Sequence, residues 1–139
     1  MTAIAAAAYP AAFAAAASGG IAIDAAGTDS TVHTYSASPV IAKTQSLSVI
    51  GWAFPPSANG GCSAIGLAVD KKHVYPGTYG YGRPDVASQY KNDELTNVGY
   101  SIAVPATALG AGTHTAYVVC YDSPQSASRS FNPLTIRVR

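Results

Sequence analysis

The feature that most constrains this chain is a series of short segments in which apolar residues alternate with small or polar ones. A period of two places successive side chains on opposite faces, as in a β-strand whose two faces have different surroundings. Turn-forming Gly, Pro, Asn and Asp residues separate the segments. The clearest segments are residues 45–54, 62–70, 73–75, 99–104, 113–121 and 131–139.

This succession predicts an all-β fold, specifically an immunoglobulin-like antiparallel β-sandwich of about seven strands. A weaker alternating segment at 32–38 is taken as its first strand. In residues 45–54, Leu47 and Val49 share one face while Ile50 and Trp52 share the other, which predicts a bulge or a strand covered on both sides. A jelly roll or a small barrel is the alternative architecture.

The N-terminal part of the chain has a different composition. Residues 3–23 carry no charged side chain and are mostly alanine, and Pro10 would interrupt a helix there. Three interpretations stay open: an atypical signal peptide, the end of a transmembrane helix of a longer protein, and a mis-assigned start. Each leaves residues 1–18 outside the fold, followed by a linker at 19–31 and the sandwich at 32–139.

The longest polar stretch between strands is residues 79–100, YGYGRPDVASQYKNDELTNVGY. Pro84 suits the first turn of a short helix, and Asp85 is favourable near the positive end of its dipole, where it is expected to act as the cap. Arg83 is expected to anchor the loop through carbonyls or a carboxylate. The stretch is therefore predicted to be a long crossover with one short helical turn.

Tyrosines are concentrated in and around this stretch. Exposed aromatic rings are typical of surfaces that bind sugars or proteins, whereas buried ones would hold the loop onto the sandwich. Both interpretations stay open, with the second preferred. The candidate ligand-facing residues are Tyr75, Tyr79, Tyr81 and Tyr90.

The two cysteines are predicted to form one disulfide. In an immunoglobulin-like strand order, Cys62 begins one strand and Cys120 nears the end of an antiparallel neighbour, so both lie at the same end of one sheet. The bond would then cross a sheet rather than join two sheets. The alternative is a pair of unrelated small apolar residues.

Composition and motif spacing argue against several classes of function. A formal net charge of +1 with scattered basic residues argues against nucleic-acid binding. The histidines His33, His73 and His114 have no metal-ligand spacing, and Asp93 and Glu94 are adjacent rather than opposed. We therefore expect no enzymatic activity, no metal and no cofactor; calcium is a minor alternative, since turn residues explain the oxygen-rich side chains.

The chain contains an R-P-D-V element at residues 83–86, an N-x-G-aromatic strand start at 97–100 and an L-x-x-G-x-H-T strand at 109–115. Together these motifs resemble those of a bacterial immunoglobulin-like domain found in envelope and secreted proteins. The resemblance covers about residues 45–138 and implies the sandwich fold, but it carries no catalytic residues. The motif residues expected to structure the loop are Arg83, Pro84, Asp85, Asn97, Gly99 and Tyr100.

The expected function is a non-enzymatic extracytoplasmic accessory, spacer or adhesion module whose partner is a glycan or another envelope protein. Membrane contact is expected only through the N-terminal segment. A first alternative is carbohydrate binding through the Tyr-rich loop at residues 79–100. A second is a C-terminal fragment of a membrane glycosyltransferase or other envelope enzyme, whose catalytic part would lie outside this chain.

Overall fold

The computed structural model describes residues 7–8, 20–28, 38–55, 60–123, 126–130 and 133–139. The strands are β1 (Ala7–Ala8), β2 (Gly20–Thr28), β3 (Val40–Ile41), β4 (Ser46–Phe54), β5 (Ala64–Val69), β6 (His73–Pro76), β7 (Thr78–Tyr81), β8 (Gly99–Pro105), β9 (Gly112–Ser123), β10 (Ser126–Arg129) and β11 (Leu134–Val138). Two short α-helices, α1 (Pro84–Tyr90) and α2 (Ala106–Leu109), and a 3₁₀ turn at Asp93–Leu95 complete the described elements.

The strands form two sheets, which confirms the predicted all-β sandwich. The larger sheet has the order β1-β6-β5-β9-β11-β3, with β10 also paired to β9. The smaller sheet has the order β2-β4-β8-β7. The pairings are antiparallel except for that of β3 with β11, which is parallel. Residues 79–100, predicted as a crossover, instead join β7 to its antiparallel neighbour β8 in the smaller sheet, so they form a long hairpin loop.

The main core lies between the two sheets, because the inward residues of both belong to one buried cluster. Leu47 and Val49 of β4 meet Ile65 and Leu67 of β5 in this cluster. Strand β5 is buried along its whole length, since its alternate residues belong to a second apolar cluster on the other side of the larger sheet. The members of that second cluster are Ala64, Ala68, Val74, Val119 and Tyr121.

The irregularity expected in residues 45–54 lies in the neighbouring strand instead. Strand β4 alternates regularly between buried and half-buried residues. The register shift falls in β2, between Ile23 and Ala25, so that Asp24 is the extra residue. The sequence predicted either a bulge or a strand covered on both sides. Strand β4 is the second, because Ile50 and Trp52 on its outward face are half-buried.

The linker predicted at residues 19–31 is wrong over Gly20–Thr28, which form β2. The small residues that indicated a linker instead allow close packing: Gly20 lies against the rings of Trp52 and Phe54. The strand predicted at 32–38 lies outside the described residues except for Ser38. Ala7–Ala8 of the N-terminal segment, expected outside the fold, pair with β6. No helix among the described residues is long and apolar enough to cross a bilayer.

Candidate functional site

The loop at residues 79–100 contains the short helix predicted from Pro84. Helix α1 spans Pro84–Tyr90, has Pro84 in its first turn and ends at Lys91 in the left-handed conformation. The expected cap is corrected: the N-cap residue is Arg83, and no side chain makes a capping hydrogen bond there. Asp85 lies in the first turn, but the side chain that pairs with its carboxylate is that of Arg83.

Arg83 pairs with two carboxylates, that of Asp85 in its own loop and that of Asp24 on strand β2. Its Nε and Nη2 donate to the oxygens of Asp85 at 2.9 and 2.8 Å, and its Nη1 donates to Asp24 at 2.7 Å. The forked guanidinium matches a carboxylate in this bidentate geometry. The hydrogen bond to Asp85 raises the pKa of Arg83, and the same bond lowers the pKa of Asp85. Arg83 was expected to anchor the loop through carbonyls or a carboxylate, and its side chain pairs with carboxylates.

Gly99 is required because the loop passes directly over it. A Cβ at this position would lie 2.9 Å from the Cβ of Tyr81 and 3.1 Å from Cγ of Arg83. The first distance is shorter than real Cβ contacts and the second is tighter than most of them, so Gly99 lets the stem of Arg83 lie on strand β8. Asn97 is exposed, and its Oδ1 is the nearest atom, at 3.9 Å, to a Cβ built on Gly82.

Tyr100 is buried and forms a hydrogen bond between strands β8 and β2. Its side chain is 2% exposed, and its hydroxyl donates to the carbonyl oxygen of Ala22 at 2.8 Å. The ring reaches across Gly51, where a Cβ would lie 2.8 Å from the hydroxyl. Burial raises the pKa of Tyr100 well above its usual range, so the phenol stays neutral and keeps its donor proton.

Tyr79 is a structural residue rather than a ligand-facing one, which corrects that expectation. It is 5% exposed, and its hydroxyl donates to the carbonyl of Ala53 and accepts from the backbone N–H of Cys62 at 3.0 Å. Burial raises the pKa of Tyr79 to about 12. Tyr75 is half-buried, and its hydroxyl donates to the carbonyl of Ala108 at 3.2 Å.

The predicted disulfide is confirmed. Cys62 and Cys120 are bonded, with their Cα atoms 5.4 Å apart, and both are buried. Cys120 belongs to β9 and Cys62 precedes β5; these two strands are antiparallel neighbours in the larger sheet. The bond therefore crosses one sheet, next to the hydroxyl of Tyr79.

Tyr81 and Tyr90 are the exposed members of the predicted aromatic set, at 45% and 44%. Tyr90 packs edge-on against Trp52 and Phe54, with ring centroids 5.7 and 5.1 Å away. The structure therefore separates the two: Tyr90 attaches helix α1 to strand β4, whereas Tyr81 borders a cleft.

This cleft is the candidate binding site, and it has a volume of about 360 Å³. Sites for small molecules usually fall between roughly 300 and 1,000 Å³. The cleft lies where strands β2, β4 and β8 meet the loop at residues 79–100. The residues that line it include Asp24, Ile50, Tyr81, Arg83, Gly99 and Ser101. Sequence reasoning missed Asp24, Ile50 and Ser101, because β2 was taken for a linker and contacts between strands have no local signal.

His114 has a role that its position at the start of a strand did not reveal. Its Nδ1 lies 2.6 Å from Oδ2 of Asp70, and its Nε2 lies 2.8 Å from the carbonyl oxygen of Gly110. Both neighbours accept hydrogen bonds, so the doubly protonated ring satisfies both. Burial opposes the charged form, but these hydrogen bonds outweigh it and raise the pKa of His114.

Asp70 completes this contact between the β5–β6 turn and strand β9. Its Oδ1 accepts from the N–H of Thr115 at 2.9 Å. Burial acts to raise the pKa of Asp70, but the bonds from His114 and Thr115 outweigh it and lower that pKa. Asp70 and Lys71 both have positive φ, as in the tight turns that join antiparallel strands.

The oxygen-rich side chains after helix α1 fill turn positions. The side-chain oxygen of Asn92 accepts from the N–H of Glu94 at 3.1 Å, and the Thr96 hydroxyl donates to the carbonyl of Asp93. Within the part of the chain that the structure describes, no group of three His, Cys, Asp or Glu residues is arranged to hold a metal ion. In comparisons with known proteins, no family model, curated protein or solved structure matches this chain.

Proposed function

We propose that this chain is a non-enzymatic accessory module that works outside the cytoplasm as a spacer or an adhesive surface. The observation that carries the proposal is the use of the loop's polar groups. Arg83, Tyr79 and Tyr100 bond to residues outside the loop, and Asp85 pairs with Arg83 within it. Side chains held in this way give the sandwich a rigid surface, which suits recognition or spacing.

The proposed compartment is supported by the buried disulfide. Disulfides form and persist in oxidising surroundings such as the periplasm and the cell exterior. The bond between Cys62 and Cys120 closes a long segment of chain, with a sequence separation of 58. The resemblance of the R-P-D-V motif to bacterial envelope domains points to the same compartment.

The compartment is tested by producing the full chain in a bacterium, once in the cytoplasm and once with an export signal. We expect the exported form to show no free thiols under denaturing, non-reducing conditions and to resist urea better than the cytoplasmic form. Two reactive thiols in the exported form, or equal resistance of the two forms, would contradict the extracytoplasmic role.

The adhesive role is tested by displaying the full chain on the surface of bacterial cells. We expect these cells to adhere to surfaces coated with bacterial envelope polysaccharide or envelope protein more than matched cells that do not display the chain. Equal adhesion of both cell types would exclude adhesion and leave the spacer role.

Carbohydrate binding is the second candidate, and the position of Tyr81 favours it. Its ring is exposed at the edge of a cleft that also contains a carboxylate and a guanidinium. These are the side-chain types that combine a stacking surface with hydrogen-bond donors and acceptors.

A further inference from the structure

We propose that the cleft bordered by Asp24, Tyr81 and Arg83 binds a neutral saccharide. The inference rests on the proposed adhesive function and names the class of ligand. Sugars without charge present apolar C–H faces and a rim of hydroxyl groups that both donate and accept hydrogen bonds. A site for them needs an apolar or aromatic surface beside paired donors and acceptors.

The apolar surface is supplied by two residues. Tyr81 is 45% exposed, so its ring is accessible. Ile50 is half-buried on the outward face of strand β4 and lines the same cleft. Aromatic rings bury a large area with only two rotatable bonds, so contact with a C–H face costs little side-chain entropy.

The polar groups lie next to this surface. The side chain of Asp24 is 44% exposed and that of Arg83 is 24% exposed, and the two are joined at 2.7 Å. A carboxylate accepts through about four lone-pair positions and a guanidinium has five N–H donors. Three donors of Arg83 bond to Asp24 and Asp85, so two N–H groups and the other lone pairs of Asp24 can bond to hydroxyl groups. The half-buried Ser101 adds a hydroxyl that can donate and accept.

The local charge selects against acidic glycans. The guanidinium of Arg83 is flanked by the carboxylates of Asp24 and Asp85, which leaves one excess negative charge in this group. An anionic sugar would have to approach two carboxylates to reach one guanidinium that is already paired, and like charges repel at such distances. A neutral sugar meets no such barrier.

The polar part of the site is also held in place before a ligand arrives. The Arg83 stem lies on Gly99, and its guanidinium is fixed by three hydrogen bonds to carboxylates. Beneath it, Tyr100 is anchored to the backbone of strand β2. Groups that are already ordered lose little freedom on binding, which favours affinity at a small contact area.

The test uses the full chain on an array of neutral glucan, mannan and galactan oligosaccharides. Oligogalacturonate and sialylated glycans serve as anionic probes, and chitosan oligomers serve as the cationic probe. The variants are Tyr81→Ala and, as the matched control, Tyr90→Ala, which removes a similarly exposed ring outside the cleft. Thermal unfolding of each variant shows whether the fold is retained. Asp24→Asn, which keeps the shape of the side chain, provides a second test that does not remove a ring.

We expect binding to at least one neutral oligosaccharide that falls at least about tenfold with Tyr81→Ala and Asp24→Asn, and less than about twofold with Tyr90→Ala. Absence of binding to every neutral probe, binding confined to anionic or cationic probes, or equal losses with Tyr81→Ala and Tyr90→Ala would overturn the inference. The proposed accessory function would survive each of these results if the exported chain still forms its disulfide and supports adhesion.

Discussion

The hydroxyl of Tyr79 accepts a hydrogen bond from the backbone N–H of Cys62 at 3.0 Å, immediately beside the disulfide. The same hydroxyl donates to the carbonyl of Ala53 at the end of strand β4. The Tyr79 hydroxyl therefore connects the smaller sheet to Cys62, which is bonded to Cys120 of the larger sheet.

Replacement of Tyr79 with Phe should lower the free energy of unfolding by about 1–3 kcal/mol. The change leaves a buried N–H and a buried carbonyl without their partner, and each such loss has a desolvation cost. Urea unfolding at neutral pH measures the effect. Tyr81→Phe is the control, since it removes a hydroxyl from an exposed ring. A change below about 0.5 kcal/mol in Tyr79→Phe would show that the bridge contributes little.

Loss of the disulfide should be the most destabilising of these changes. The Cys62→Ala/Cys120→Ala variant should lose about 2–5 kcal/mol, because the unfolded chain is freed from a long closed loop. Unfolding with and without reductant measures the effect. The reductant should destabilise the native chain and leave the variant unchanged; destabilisation of both would indicate an effect unrelated to the bond.

Gly99→Ala should disrupt the loop at residues 79–100 and lower the free energy of unfolding by about 1–3 kcal/mol. The added methyl group would enter the space of Tyr81 and Arg83, and over-packing of this size forces backbone movement. Gly82→Ala is a matched control in the same loop, because its added Cβ would lie 3.9 Å from Oδ1 of Asn97, an ordinary van der Waals distance. Equal stability of the two variants would argue against the close approach at Gly99.

Replacement of Arg83 with Met should destabilise the domain by no more than about 1 kcal/mol at pH 7, since partly exposed ion pairs contribute little. The pKa of Asp85 is lowered in the folded state, so its contribution is present above its usual value of 3.8 and is lost as the pH falls through the folded value. The difference from the native chain should therefore shrink in acid.

Unfolding curves at pH 7 and at pH 3 would test this expectation. Arg137→Met, which removes an exposed arginine on strand β11, is the control. A difference for Arg83→Met that stays constant between the two pH values would show that the ion pair with Asp85 is not its source.

The pair formed by His114 and Asp70 predicts a pH optimum of stability. The raised pKa of His114 adds stability that is complete below its usual value of 6.5 and is lost as the pH rises through the folded value. The lowered pKa of Asp70 adds stability above 3.8 that is lost as the pH falls. The pair therefore contributes most between about pH 4 and 6.5.

His114→Gln should remove the part of this dependence that lies above pH 6.5, as measured by urea unfolding from pH 5 to 9. The exposed His73, in the same turn region, provides the control His73→Gln. An unchanged pH profile in His114→Gln would mean that the contact seen at 2.6 Å does not favour the charged ring.

Local sequence patterns are enough to predict the class of fold, several strands and the position of helix α1. Alternation in residues 64–69 and 99–104 is a local pattern, and Pro84 is a local helix-start signal, so both could be recognised without knowledge of distant residues. The disulfide could also be predicted, because the chain has two cysteines and the expected strand order places both at the same end of one sheet.

The places of the other parts depend on contacts between residues that are distant in the chain. Strand β2 carries small residues that look like a linker, and its strand conformation depends on pairing with β4. Asp24 approaches Arg83 across 59 residues of sequence, and Asp70 approaches His114 across 44. Such contacts arise from the packing of strands that are distant in the chain, and no local periodicity encodes them. The candidate cleft therefore emerged only when the sheets were assembled.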